Sequence, residues 1–169
     1  TVETLPYNGA ITYGNAANLQ DLSNYNVFIV CEPNILFTAT EKTAILNFVA
    51  NGGGLFMVAD HTISDRNNDG YDSPDIWNDL MQNNSTGNTN PFGIMFDLQN
   101  FSQTSSNIAI LPVNDSILHG PMGDVTKVMW SGGTSITIDP LANNAAKAIV
   151  YKTGVAGPTG NNSIMVATS

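Results

Sequence analysis

A strand–helix–strand pattern in the first third of the chain constrains its fold more than any other feature. Residues 26–31 read NVFIVC and residues 55–59 read LFMVA, two short apolar runs. Between them, Thr38 and Glu41 match the T-x-x-E capping box that begins a helix, and three glycines at 52–54 match a helix end. This order predicts a β-α-β unit whose two parallel strands are buried on both faces.

The rest of the chain predicts a layered α/β domain. We expect a short strand from Val2 to Leu5, and a second helix with Ser73 as its cap and Pro74 as its first residue. After residue 91 the helical periodicity is lost. The candidate strands there are Asn107 to Leu111, Lys127 to Trp130, Ser135 to Ile138, Ala148 to Lys152 and Ser163 to Thr168. Residues 1–169 are therefore expected to form one domain, with a flavodoxin-like three-layer core, a mainly parallel sheet and a β-rich C-terminal segment.

Charge and composition narrow the class of protein. The formal net charge is -9, with only five basic residues, which argues against nucleic acid as a partner. No apolar run reaches the roughly 18 residues of a membrane span, so we expect no membrane insertion. Low lysine with abundant Asn, Thr, Ser and Gly is typical of secreted or cell-surface proteins, which is the expected location. The single cysteine, Cys31, lies in an apolar run and is expected to be a buried thiol.

The stretch from Asp60 to Asp79 is the most acidic part of the sequence. Six of the fourteen acidic residues fall there: Asp60, Asp65, Asp69, Asp72, Asp75 and Asp79. Asp65, Asn67, Asp69 and Gly70 spell D-x-N-x-D-G, the first half of a calcium-binding loop, and the Tyr71 carbonyl follows as the next ligand. The sequence therefore predicts bound Ca²⁺.

The second half of this loop departs from the calcium pattern. Position 12, where a bidentate Glu is expected, holds Ile76. Asp72, Asp75 or Asp79 would have to complete the ligand set. The alternative interpretation is an Asn-Asp-Gly turn whose acidic side chains are solvated.

A second group of candidate residues follows the second predicted strand. Asp60 and His61 lie just past its carboxyl end, where open α/β sheets place their ligands. Together with His119, they are candidates to bind a catalytic metal or to act as acid and base. The alternative is that Asp60 caps a turn and His61 is a structural hydrogen-bonding residue.

The segments LSNYNVFIVCEPN and FTATEKTAILNFVANGGGLFMVADH resemble class I glutamine amidotransferase-like domains. The similarity is to the trehalose-utilisation-type branch and to related secreted bacterial proteins. It covers roughly residues 1–60, extends loosely to HGPMG, and implies the flavodoxin-like fold. The nucleophilic cysteine of those enzymes is missing, since VADHT stands in its place, so the resemblance implies no glutaminase activity.

The resemblance also implies that the domain lacks segments at both ends. We therefore expect a remaining segment of the same domain, or self-assembly, to cover bare strands. The leading hypothesis is a calcium-binding module that binds a carbohydrate or protein partner or has a structural role. The alternative is a metal-dependent hydrolase that uses Asp60, His61 and His119.

Overall fold

A computed structural model describes residues 1–6, 9–100, 105–107, 116–126, 128–130, 132–152 and 164–169. After a short 3₁₀ helix, Leu22–Asn24, the elements in chain order are β1 Val27–Cys31, α1 Ala39–Ala50, β2 Gly54–Val58, α2 Ser73–Gln82, β3 Ile94–Phe96, β4 Ser105–Asn107, β5 His119–Gly120, β6 Gly123–Asp124, β7 Val128–Trp130, β8 Ile136–Ile138, β9 Lys147–Tyr151 and β10 Ile164–Thr168.

The predicted β-α-β unit is confirmed. Strands β1 and β2 pair in parallel, and α1 connects them. The backbone N–H of Glu41 donates to the Thr38 hydroxyl at 3.3 Å, and the Thr38 N–H donates to the Glu41 carboxylate at 2.9 Å. At the other end, the Gly53 N–H donates to the Phe48 carbonyl. A Cβ at Gly53 would lie 2.3 Å from the Phe48 ring, so the close turn requires glycine there.

The second helix begins one residue earlier than predicted at its cap. Asp72, rather than Ser73, is the N-cap, and its N–H donates to the Asp75 carboxylate at 3.3 Å. The Trp77 side chain on α2 is fully buried, its ring lies 5.3 Å from that of Phe37, and its indole N–H donates to the Val58 carbonyl at 3.0 Å. The helix is therefore fixed against the end of β2.

Two polar side chains tie α2 to its neighbours. Lys42 on α1, only 7% exposed, pairs with Asp79 and also donates to the Asn83 carbonyl at 3.0 Å. The Asn78 amide both donates to and accepts from the backbone of Phe96 at 2.9 Å. Asn78 thus forms hydrogen bonds with the backbone N–H and carbonyl of Phe96 at the edge of β3, as a neighbouring strand would.

The C-terminal half forms small antiparallel sheets. One contains four strands in the order β3-β8-β10-β9, and β4-β7 and β5-β6 form separate pairs. The predicted strand at residues 107–111 overlaps β4 only at Asn107, and residues 108–111, Lys127 and Ser163 lie outside the described residues. Residues 2–5 form no strand.

The predicted flavodoxin-like three-layer core is wrong. Within the described residues there are two α-helices, and β1-β2 is the one parallel pair. The later strands pair antiparallel with one another instead of extending the parallel sheet. In this part of the chain, no helix is long and apolar enough to cross a membrane.

One face of the parallel pair is exposed, which contradicts the prediction that both faces are buried. Val27 and Ile29 are 57% exposed and Phe56 is 55% exposed. Successive side chains of a strand point to opposite faces, and only the face that carries Phe28 and Val30 packs into the core. Cys31 lies on the exposed face and is itself exposed, so the prediction of a buried thiol is also wrong.

Candidate functional site

The carboxyl ends of β1 and β2 meet at one edge, where polar side chains collect. Glu32 follows β1 directly, has a positive φ of 50°, and donates its N–H to the Val58 carbonyl at 3.1 Å. Its carboxylate pairs with Arg66 at 3.3 Å. The ion pair is exposed, so its contribution to stability is small, but it joins the ends of the two strands to the acidic loop.

Asp60, His61 and Ser64 form a chain of side chains at this edge. The Asp60 Oδ2 lies 3.6 Å from the His61 Nε2, and the Ser64 Oγ lies 3.3 Å from the His61 Nδ1. The Asp60 and His61 side chains are 20% and 22% exposed. The Asp60 N–H donates to the Ser73 hydroxyl at 2.9 Å, which holds the turn against the start of α2. Both ring nitrogens of His61 therefore have an oxygen neighbour.

The loop that follows is organised around the Asp65 carboxylate. Its two oxygens accept the N–H groups of Asp69 at 2.9 Å and Gly70 at 3.1 Å. The Asp69 carboxylate accepts the Tyr71 N–H at 2.9 Å. Gly70 has φ +88°, the conformation for which a calcium loop uses glycine at its sixth position. The first half of the predicted loop is therefore compact and turned on itself.

Asn67 and Tyr71 occupy exposed positions in this loop. The Asn67 amide nitrogen donates to the Asn34 carbonyl at 2.6 Å and to the Asp69 carboxylate at 2.8 Å. This leaves the Asn67 amide oxygen without a hydrogen-bond donor in the described part of the chain. Tyr71 is 42% exposed.

The carboxylates of Asp72, Asp75 and Asp79 interact with groups other than the ligands of the predicted calcium site. Asp72 is 6% exposed, and its Oδ2 accepts the N–H groups of Ser64 at 2.6 Å and Asp65 at 3.2 Å. Asp75 accepts the N–H of Asp72, and Asp79 pairs with Lys42. Asp72 therefore closes the base of the loop, and Asp75 holds the cap of α2.

His119 lies apart in sequence, in β5, opposite Asp124 of β6. Across the described residues, which include Asp60 and His61, no group of three or more His, Cys, Asp or Glu side chains is arranged to hold a metal ion. Calcium also takes amide and backbone carbonyl oxygens, so this finding bears more directly on a transition-metal site than on the Asp65 loop.

A buried carboxylate lies outside this edge. Asp21 is fully buried and accepts hydrogen bonds from the Thr12 hydroxyl at 2.7 Å, the Gly14 N–H at 2.9 Å, and the N–H and hydroxyl of Ser23. Burial raises the pKa of Asp21, but the hydrogen bonds from Ser23 and Thr12 together lower it by more. The net result is a pKa well below the usual range of an aspartate. The arrangement supports the loop before β1 structurally.

A cavity of about 160 Å³ lies at the opposite, amino-terminal end of the two strands. Its lining includes Tyr13, Ser23, Tyr25, Asn26 and Asn51. It is separate from the acidic loop, which follows the carboxyl ends.

Ser64 and Asp21 were not among the residues predicted from the sequence. The spacing H-x-x-S at 61–64 places a hydroxyl within reach of an imidazole across a tight turn, and D-x-S at 21–23 is a local carboxylate–hydroxyl signal. Neither spacing is specific by itself, since both depend on the backbone conformation that the turn adopts.

Comparison with known proteins gives a fold similarity and no family. No protein-family model matches the sequence, and no curated protein matches it. Among solved structures, the mmIFT52 N-terminal domain is similar, with a TM-score of 0.51 at 15% sequence identity. The match covers 86% of this chain and 60% of that domain's chain, and at this identity it shows a shared fold alone.

Proposed function

We propose that the loop from Asp65 to Tyr71 binds Ca²⁺ and that the chain is a calcium-dependent binding or structural module without glutaminase activity. One observation carries the proposal. The carboxylates of Asp65 and Asp69 are held in place by the loop's own backbone N–H groups, at the spacing of a calcium loop.

The hydrogen bonds within the loop are compatible with a bound ion. Each carboxylate oxygen has about two acceptor sites, and the hydrogen bonds to the Asp65 side chain use one site on each oxygen. The remaining acceptor sites, the Asn67 amide oxygen and the Tyr71 carbonyl are hard oxygen ligands of the type that Ca²⁺ takes. Because these groups are already positioned, binding requires little further ordering of the chain.

The number of ligands suggests the strength of binding. Asp72 and Asp75 support the loop and the helix cap, so we assign the direct ligands to Asp65, Asn67, Asp69 and the Tyr71 carbonyl, with water completing the shell. Calcium affinity falls with fewer charged ligands, and two carboxylates favour a dissociation constant of about 10⁻⁴–10⁻³ M. Such affinity suits the higher calcium concentration outside the cell. We therefore keep an extracellular or cell-surface location in the proposal, together with a carbohydrate or protein partner.

Thermal unfolding with calcium or EDTA tests this proposal. At a calcium concentration 100 times the dissociation constant, binding to the folded state alone should stabilise the wild type by about 2.7 kcal/mol. For a domain of this size, each kcal/mol raises Tm by about 2–4 °C. Asp69→Ala should lose the shift, whereas Asp124→Ala, an exposed carboxylate outside the loop, should keep it.

Magnesium provides the second control for this experiment. Mg²⁺ demands tighter octahedral geometry and keeps its waters, so it should give a smaller shift than Ca²⁺. If calcium leaves the wild-type Tm unchanged, or if Asp69→Ala responds as the wild type does, the loop is a polar turn.

A second candidate function is hydrolysis at Asp60 and His61. The observation that favours it is the contact of the His61 ring with an acid on one side and a hydroxyl on the other. A metal ion shared with His119 has no such support, because no group of three metal-binding side chains forms in the described part of the chain. Turnover of an ester substrate that EDTA abolishes would point to the metal-dependent form of this candidate.

A further inference from the structure

We propose that Ser64 is a nucleophile activated by His61, with Asp60 as the positioning residue, in the cleavage of small esters. The proposal gives the second candidate function a specific mechanism, which needs no metal ion, and it is independent of calcium binding. It rests on the row of side chains Ser64, His61 and Asp60. The Ser64 Oγ lies 3.3 Å from one nitrogen of the His61 ring, and the Asp60 Oδ2 lies 3.6 Å from the other.

The geometry allows the roles to be divided. The Ser64 hydroxyl can donate its proton to the His61 Nδ1, which leaves the Nε2–H directed toward the Asp60 carboxylate. At 3.6 Å, Asp60 acts through charge rather than through a short hydrogen bond, and stabilises the imidazolium that forms in the reaction. Such contacts are often long before substrate binds.

The position in the fold also favours a reactive site. The turn follows the carboxyl end of β2, at the edge where α/β units bind their ligands. All three side chains are partly exposed, so a substrate can reach them. The Ser64 backbone is fixed independently of its side chain, because its N–H donates to the buried Asp72 carboxylate.

Two backbone donors lie in the same turn. The N–H groups of Thr62 and Ile63 donate to no acceptor in the described part of the chain. They are therefore available to bind the oxygen anion that develops on an attacked carbonyl.

The chemistry is acyl transfer in two balanced steps. The Ser64 Oγ forms a bond to the ester carbonyl carbon while its proton passes to His61, and that proton then goes to the departing alcohol as the ester C–O bond breaks. Water attacks the acyl-serine next, gives its proton to His61, and the acid is released as the proton returns to Ser64. The dense negative charge nearby, from Asp60 and the acidic loop, favours neutral or cationic esters over anionic ones.

Covalent labelling of the wild-type protein tests the proposal directly. A fluorophosphonate probe, applied in EDTA, should add one adduct, and peptide mapping should place it on Ser64. Ser64→Ala should remove the adduct, whereas Ser85→Ala, which changes an exposed serine hydrogen-bonded to Thr43, should leave labelling unchanged. Labelling confined to other serines, or no labelling, would overturn the proposal.

The histidine and aspartate variants separate catalysis from support of the fold. His61→Asn should slow labelling by about 100-fold or more, the usual contribution of a general base. Asp60→Asn should slow it less, and Asp60→Glu should restore part of the rate. If His61→Asn labels at the wild-type rate with an unchanged Tm, Ser64 is not activated by His61 and the mechanism fails.

Hydrolysis of p-nitrophenyl acetate distinguishes this mechanism from the metal-dependent candidate. Turnover that persists in EDTA and disappears in Ser64→Ala supports the serine nucleophile. Turnover that persists in Ser64→Ala and disappears in EDTA overturns it and favours the metal-dependent hydrolase. The calcium shift of the loop is measured separately, so neither outcome depends on it.

Discussion

The carboxylate of Asp21 and those of the Asp65–Asp69 loop both accept hydrogen bonds from groups close in sequence, but the first is buried and the loop is largely exposed. Asp21 is fully buried and its donors are backbone and hydroxyl groups close in sequence. Asp65 and Asp69 also accept local N–H groups, yet Asp69 and most of its loop are exposed. A buried carboxylate whose hydrogen-bond donors all belong to the protein has a structural role. Exposed carboxylates in a prearranged loop can instead bind an ion from solvent.

The largest expected effect is at Asp21. Asp21→Ala leaves the partly buried Thr12 hydroxyl and the Gly14 and Ser23 N–H groups without their charged acceptor, so we expect a loss of about 3 kcal/mol in the free energy of unfolding. Urea unfolding measures it. Asp21→Asn retains one carbonyl oxygen and should cost less, and a loss below about 0.5 kcal/mol for Asp21→Ala would contradict the structural role.

The pH dependence of stability should also depend on Asp21. Its pKa is lower in the folded state than the unfolded value of about 3.9, so its contribution is fully present above that value. The contribution is lost as the pH falls from about 4 toward the folded pKa. Urea titrations between pH 6 and pH 2.5 should therefore show a smaller drop in Asp21→Asn than in the wild type, and parallel curves would contradict this assignment.

A smaller effect is expected at Gly70. Its φ of +88° is strained for any residue with a Cβ, although no atom lies within 4 Å of the added carbon, so Gly70→Ala should cost about 1 kcal/mol in EDTA. Gly87→Ala is the matched control, with φ +71° and equally open space. Both variants should lose similar stability, and only Gly70→Ala should also weaken the calcium-induced Tm shift.

The smallest effect is expected at Asp69 without calcium. Asp69 is exposed, so Asp69→Asn in EDTA should change the free energy of unfolding by no more than about 0.5 kcal/mol. Calcium titration of the same variant should show clearly weaker binding, because an amide oxygen replaces one of the two charged ligands. A loss of several kcal/mol in EDTA would mean that Asp69, like Asp21, mainly supports the fold.

Local rules correctly predicted the β-α-β unit in the first half of the chain. The Thr38–Glu41 box, the turn after Phe48 and the pairing of β1 with β2 all depend on residues joined by a short connection. The flavodoxin-like arrangement failed because it required the later strands to join that parallel pair. Their order in the sheet, β3-β8-β10-β9, depends on contacts between segments far apart in sequence.

The candidate site divides in the same way. The sequence alone identified the acidic loop and the Asp60–His61 pair, because ligand spacing and the end of a strand are local signals. It did not identify which carboxylates were already engaged, since Asp79 meets Lys42 across two helices. It also missed that Ser64 approaches His61, which requires the backbone of the turn.

The sequence by itself determined the cap of α1, the glycine turn that ends it and the identity of the oxygen-rich loop, because each depends on residues within a few positions of one another. The tertiary structure decided which sides of the strands are covered. Val27, Ile29 and Phe56 are as apolar as any core residue, yet they face solvent because the core that α1 and α2 help to form packs against only the other face. The apolar character of a side chain makes its burial favourable, but only the packing of distant segments decides whether that side chain is buried.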